Sequence, residues 1–296
     1  MMTGRHSGTA AIALDGAIDM HCHFGPEPLV EMAAKSPHSV DPIEAAREAA
    51  DHGMRAIVLK AHEFPSTVAA HLANVAVPEV QSIGGICLDH PVGGLNPHAV
   101  ECALRAGAKV VWLPTLSSEQ DAPTKVKAFF GEKEEGIRVI DADGAIVPEV
   151  RTILDLITEY DAVLATGHVS TAEHFAVAKE YASKGRVLVT HAMHATTGPR
   201  LTEQEVIELA DLGASIEFAA HTCMGEPSTF ANVVSALKRL DPAKVVLATD
   251  YGWTTKIPHP AAGLHSYVNA LWDEGIDEAD LKVMTCDNPA LLLGMH

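Results

Sequence analysis

His21 and His23 stand two residues apart in the run AIDMHCH. Side chains of an extended strand alternate with a period of two, so both imidazoles face one way and Cys22 the other. Two imidazoles on one side of one strand suit a single metal ion; the plainer alternative is a pair of core or surface histidines. Donors of the same kind recur much further along, with His168 in Thr-Gly-His, His191 in Val-Thr-His and Asp250 at the end of VVLATD. Imidazole and carboxylate together hold a borderline cation while leaving a position for water. Of the seventeen histidines, eight (His21, His23, His62, His90, His168, His191, His194 and His221) fall at or just past the ends of short apolar runs.

Those runs must be strands if they are to bring such groups together. Eight segments read so: 17–23, 55–62, 82–89, 109–115, 162–168, 187–191, 214–220 and 245–250. Helical periodicity fills the gaps, in DPIEAAREAADHG, which stops on Gly53, STVAAHLANVAV, NPHAVECALRAGA, EVRTILDLITEY, TAEHFAVAKEYASKG, TEQEVIELADLG and STFANVVSALKRL. Alternating strands and helices point to a parallel sheet. A closed (β/α)8 barrel gathers the C-terminal strand ends on one face. A doubly wound eight-stranded sheet is the alternative, and it offers no reason for the histidines to gather. The fourth strand is followed by a longer stretch, KVKAFFGEKEEGIRVIDADGAIVPEV, in which GIRVIDADGAIVP reads as a β-hairpin turning at Asp143-Gly144. It is expected as a surface hairpin or as a flap over the strand ends. No linker interrupts the chain, so residues 1–296 read as one domain.

Composition narrows the partners. The formal charge of -18, from 21 basic and 39 acidic residues, argues against nucleic acid and anionic membrane surfaces, leaving a small-molecule substrate. The five cysteines, Cys22, Cys87, Cys102, Cys223 and Cys286, are odd in number, scattered and without a CxxC pair, which favours a reducing cytoplasm over a disulfide framework. The start, MMTGRHSGTAAIALDG, lacks the apolar run of a signal segment, and no stretch reaches transmembrane length. A homo-oligomer is compatible with all of this.

The ordered set resembles a known pattern. Ile-Asp-Met-His21-Cys-His23-Phe is similar to the first-strand HxH of the amidohydrolase superfamily, whose barrels continue with a His ending strand 5, a His ending strand 6 and an Asp ending strand 8. His168, His191 and Asp250 match in that order, over roughly residues 17–255. Within the superfamily the chain looks most like the phosphotriesterase and lactonase side or a neighbouring branch. The resemblance implies one or two divalent ions, usually zinc, with manganese or iron as alternatives. It also implies cleavage of an amide, lactone or ester bond by a metal-activated water. Asp250 would be the general base, and His191 a second-metal ligand or a stabiliser of the oxyanion. A metal-dependent decarboxylase or hydratase on the same barrel is the alternative chemistry, and basic residues at strand ends would favour the first of these. A non-catalytic metal-binding barrel would have lost a ligand, and none is missing.

One feature departs from the pattern. Binuclear members commonly bridge their metals with a carboxylated lysine from strand 4, but Lys109 begins its strand and lies at the wrong end. Lys60, in Val-Leu-Lys-Ala-His62, shares parity with His62, so both could face inward beside His21 and His23. Lys60 is expected either as the bridging ligand or as an amine paired with Asp250 or a substrate anion. Glu217, flanked by Ile216 and Phe218, is expected to face the interior as a ligand-orienting group, a substrate contact or the partner of a lysine. Asp19 shares the parity of His21 and His23 and could hold a histidine tautomer. His194 and His221 read as loop residues that orient substrate or stay solvated. Phe24, Tyr251 and Trp253 would line an apolar pocket or pack at the barrel mouth. The Asp89-His90-Pro-Val-Gly-Gly segment reads as a loop whose backbone approaches a ligand.

Overall fold

Among the described residues nine strands run Ile18–His23 (β1), Ala56–Lys60 (β2), Gln81–Ile83 (β3), Gly85–Cys87 (β4), Val110–Trp112 (β5), Val163–Ala165 (β6), Arg186–Val189 (β7), Ser215–Ala219 (β8) and Val245–Ala248 (β9). They come from a computed structural model that describes residues 11–131 and 134–295; the expectation about the extreme N-terminus falls chiefly on residues 1–10, outside that range. Each strand overlaps one of the eight expected segments, the third being broken into β3 and β4. The break has a steric cause. A Cβ on Gly84 would lie 2.7 Å from Thr67 Cα, and one on Gly85 would lie 2.4 Å from the Trp112 ring. The missing side chains let the helix Thr67–Ala76 and the Trp112 indole press against the strand from its two faces.

All strand pairs are parallel, in the orders β1-β2-β3 and β4-β5-β6-β7-β8-β9. The ends meet: Cys22 and Tyr251 form a parallel bridge, the Asp250 amide donates to the His21 carbonyl at 2.9 Å, and the His23 amide donates to the Tyr251 carbonyl at 2.8 Å. First and last strands are therefore neighbours, which a doubly wound sheet does not allow. The seven expected helices are present as Pro42–Asp51, Thr67–Ala76, Pro97–Arg105, Pro148–Glu159, Thr171–Tyr181, Glu203–Asp211 and Pro227–Leu237. Three begin in capping boxes, Asp41 with Glu44, Ser170 with Glu173 and Thr202 with Glu205, which satisfy amides that a helix start leaves open. Pro260–Asp273, after the last strand, was not read from the sequence.

The core has two shells. Val58, Val110, Trp112, Val163, Leu188 and Val246 fill the barrel interior, while Leu59, Ile86, Leu113, Leu164, Phe218 and Leu247 pack beneath the helices. Ala290, Leu292 and Leu293 of the C-terminal helix join the interior shell. Its Asn288 amide donates to Val245 O and its Leu292 carbonyl accepts from Arg186, both at strand starts, so this helix plugs the N-terminal mouth. The other mouth is left for the polar groups.

β1 breaks its own alternation. Ile18 and Met20 belong to the interior shell, yet His23 pairs with Lys60 as Ile18 pairs with Ala56, and the register slips between Asp19 and Cys22. The slip turns His21 and His23 inward together, with Cys22 outward among the helices. It also moves Asp19 away from the ring positions expected of it. Asp19 Oδ1 accepts the His21 and Thr249 amides at 3.0 and 3.1 Å, and Oδ2 accepts the Thr249 hydroxyl at 2.5 Å. It fastens the β1/β9 seam and touches no imidazole. Burial raises its pKa to about 6 against these hydrogen bonds.

The expected hairpin is present in reduced form, one antiparallel bridge between Ile140 and Ile146 around a turn in which Asp141 N donates to Ala145 O at 2.9 Å. Val139 N donates to Glu173 Oε1 at 2.8 Å, which ties the hairpin to the start of a barrel helix.

Gly252 shows how tight the seam is: at φ +112 its Cβ would lie 1.9 Å from the His23 carbonyl oxygen. Gly252→Ala should cost about 1–3 kcal/mol through forced backbone movement, a fall in Tm of roughly 3–10 °C by calorimetry. An unchanged melting temperature would show that the seam is looser than this geometry.

Candidate metal centre and active site

Seven of the eight strand-end histidines gather at the open mouth. Ring centroids step from His62 to His23 (5.1 Å), His21 (5.3 Å), His191 (5.9 Å), His194 (5.2 Å) and His221 (5.3 Å), and His168 lies 4.7 Å from His191. His90 is the exception: it turns away to Phe130, and its Nε2 donates to the Glu135 carbonyl, 2.9 Å off. Asp250 completes the group. Its Oδ1 lies 3.0 Å from His23 Nε2 and 3.1 Å from His21 Nε2, the first with hydrogen-bond geometry and the second without it. Ligand atoms of His21, His23 and Asp250 all fall within 4.8 Å of one another, as do those of His194, His221 and Asp250.

Four of these imidazoles face a buried carboxylate. His21 Nδ1 donates to Glu217 Oε1 at 2.9 Å, His168 Nδ1 to Asp121 Oδ2 at 2.9 Å, and His62 Nδ1 faces Asp89 Oδ2 at 3.1 Å. Glu27 Oε2 lies 3.9 Å from His23 Nδ1. A carboxylate on one ring nitrogen fixes the tautomer and turns the other nitrogen toward the mouth, the arrangement that serves a metal ligand. Glu217 also accepts the His191 backbone amide at 2.8 Å, so one side chain positions two of the expected ligands. Asp89 further accepts the Thr115 and Ser117 amides, both at 2.9 Å.

The donor set fits a divalent cation. His21 Nε2, His23 Nδ1, Glu27 Oε2 and Glu217 Oε2 are buried without hydrogen-bond partners among the described residues. Burial would lower the His21 pKa, but Asp250 and Glu217 outweigh it and raise it to about 9, so the pocket between them calls for positive charge. Burial would raise the Asp250 pKa, yet His21 and His23 hold it well below the usual carboxylate range. Burial, reinforced by Lys125 and Lys60 for His168 and by His168 for His191, keeps those two imidazoles neutral, the state in which they ligate. His191 and Asp250 both hold positive φ, 27° and 55°, a strain that packing must sustain.

Above this group is a cavity of about 230 Å³. His23, Lys60, His62, His168, His191 and Asp250 line its polar side, with His194 and His221 beside them. Val30, Leu116, Phe129 and Trp253 form its apolar side. His194 and His221 are therefore not solvated loop residues: short turns after β7 and β8 hold them against the cavity. Lys60 is buried with its ammonium 5.9 Å from the Trp112 ring centre, and among the described residues it has no carboxylate within ion-pair distance. The expected pairing with Asp250 is not made. Lys109 lies at the opposite end, donating to Asp161 O at 3.4 Å. Glu217 meets imidazole rather than lysine. Trp253 lines the cavity, Tyr251 packs edge-on to His221, and Phe24 packs on Phe64 away from it.

The insertion after β5 does reach the mouth, but not through its hairpin. The Ala122–Val126 turn and Lys127–Phe130 helix upstream supply Lys125 and Phe129, and no described residue of 136–148 lines the cavity. The loop after β4 contributes its Asp89 side chain rather than a backbone approach. Glu27, Asp121 and Lys125 were missed. The acid and base of Asp121 and Lys125, four residues apart, were the one available signal. Nothing local marks Glu27.

The fold, a parallel barrel with its imidazoles and Asp250 gathered at one mouth, has solved counterparts. Solved structures with this fold include the dipeptidase AC, a metallopeptidase of family M19 (TM-score 0.65, 13% identity, covering 95% of this chain and 98% of that one). An amidohydrolase from Pseudomonas aeruginosa matches with TM-score 0.58 at 12% identity, over 96% and 95%. A 2,6-dihydroxybenzoate decarboxylase from Rhizobium matches with TM-score 0.56 at 11% identity, over 95% and 99%. The chain belongs to DUF6282, a family of unknown function whose model matches residues 16–217. That match runs from just before β1 to Glu217 and stops short of Asp250. No curated protein matches it by sequence.

Glu217→Gln keeps the side-chain volume and removes the charge that aligns His21. Metal affinity should fall about 10–100-fold, measured by competition with a fluorescent chelator. Unchanged affinity would show that Glu217 is a structural group only.

Proposed function

We propose that the chain is a metal-dependent hydrolase that cleaves an amide, lactone or ester bond of a small molecule. The observation that carries this reading is the convergence of His21, His23 and Asp250 to within 4.8 Å at the barrel mouth, under a cavity large enough for a substrate. His21, His23, His168 and Asp250 would hold the ion, with His191 joining them if there are two, zinc first and manganese or iron as alternatives. When bound, the ion supplies Lewis acidity and brings the pKa of water towards neutrality. Asp250, fixed by His21 and His23, takes the proton of the attacking water and returns it to the leaving group. His191 either offers its ring N–H to the developing oxyanion or ligates a second ion. Lys60, paired in register with His23, would add an anionic ligand for a second ion if it were carboxylated. Five free thiols support a reducing cytoplasm, and among the described residues no helix is long and apolar enough to cross a membrane.

A second reading is decarboxylation of an acidic substrate. It is favoured by the two lysines, Lys60 and Lys125, that line the cavity of a chain otherwise strongly acidic. The Rhizobium neighbour, which shares the barrel, is a decarboxylase of an aromatic acid.

Metal content per purified chain, by plasma mass spectrometry, tests the core of the proposal. Two equivalents support the Lys60 bridge, and one leaves His191 free to act on the oxyanion. A folded chain that takes up none removes the basis of the reading. Asp250→Asn should retain most of the metal and lose about 10²–10⁴-fold in turnover of ester and lactone probes such as 4-nitrophenyl acetate. Ordinary turnover in that variant would exclude Asp250 as the base.

A further inference from the structure

Lys125 is a half-buried cation at the mouth of the barrel, its side chain 21% exposed, and its charge is only partly met. An ammonium carries three donors. One goes to the Thr197 hydroxyl. Another faces Asp121 Oδ2, but at 3.7 Å. That carboxylate is already committed, because Oδ2 accepts His168 Nδ1 at 2.9 Å and Oδ1 accepts the Gly198 amide at 3.1 Å. Lys125 sits on the π-turn Ala122–Val126, an irregularity frequent at functional sites. Phe129 and Leu116, from the same insertion, and Trp253, from the loop after β9, add apolar surface around the same cavity.

We propose that Lys125 is the anchor for a carboxylate carried by the substrate, and that the substrate is a small planar acid whose apolar body lies against Phe129 and Trp253. For the bond that reacts, this rests on the hydrolytic reading above; the anchor itself does not. The size agrees. The cavity of about 230 Å³ exceeds the roughly 150 Å³ that holds benzene in an apolar protein site, so it accommodates one ring with small substituents. The charge pattern agrees as well. A chain with formal charge -18 repels anions at long range, and a committed cation in its cavity is the means to accept one selectively.

The test is calorimetric titration of the chain with benzoate and with its neutral isostere benzamide, in metal-loaded and in chelator-treated protein. Wild type should bind benzoate about 10–100-fold more tightly than benzamide, the range expected for one charge-assisted contact. Lys125→Gln should erase that preference while leaving benzamide affinity unchanged, which also shows that the cavity remains folded. Lys125→Arg should retain part of it. Benzoate binding that is unchanged in Lys125→Gln overturns the proposal, as does binding that depends on the metal alone. A wild type that does not bind benzoate overturns it equally. A chain that takes up no metal, but whose benzoate preference still depends on Lys125, keeps the anchor and loses the hydrolytic reading.

Discussion

The Glu217 carboxylate is the interaction on which the mouth of this barrel depends. It is fully buried on β8 and accepts at once from the His21 ring and from the His191 backbone. His21 lies on β1 and His191 just past β7, strands that never pair with each other. Without that carboxylate, nothing in the local geometry of β1 would choose which nitrogen of His21 faces Asp250. A buried charge is tolerated only where its partners are complete, and here the partners are the groups that do the chemistry.

The same device is repeated round the mouth. Asp121 stands behind His168, Asp89 behind His62 and Glu27 beside His23, so neighbouring imidazoles are each held by a different element. The result is a concentration of negative charge beneath a ring of imidazoles. His21, between two carboxylates, retains a proton to about pH 9, and a divalent cation is the natural replacement for that proton. Trp112, which Gly85 makes room for, forms an apolar floor under His21 and Lys60 and keeps the group out of water. Electrostatic interactions count for more in such a dry setting.

Part of the backbone strain falls at the same place. His191 and Asp250 hold positive φ, and the β1/β9 seam closes only because Gly252 has no side chain and Asp19 collects three donors from both strands. The bulge in β1 belongs to this closure. It shifts the parity of His21 and His23 relative to Ile18 and Met20, so the interior can be apolar below and polar at the mouth along one strand.

The residue pattern by itself determined the class of fold and the centre of the site. Apolar runs with histidine or aspartate at their ends specified the strands, because parity and strand polarity are local properties. The ordered donors His21, His23, Lys60, His168, His191 and Asp250 were legible for that reason, and all of them come to one mouth. Other features were not legible, because they depend on contacts across the barrel. Asp19 was misassigned, since a bulge has no local signature and reverses parity. Lys60 was offered Asp250 as a partner, when packing places it over Trp112. The hairpin was open as a surface element or as a flap over the mouth; it lies outside the cavity lining, and the turn upstream of it carries Lys125 and Phe129. Asp89 and Asp121 became orienting groups only when closure set them beside imidazoles 27 and 47 residues away along the chain. Local periodicity decides which way a side chain points; only the closed barrel decides what it meets there.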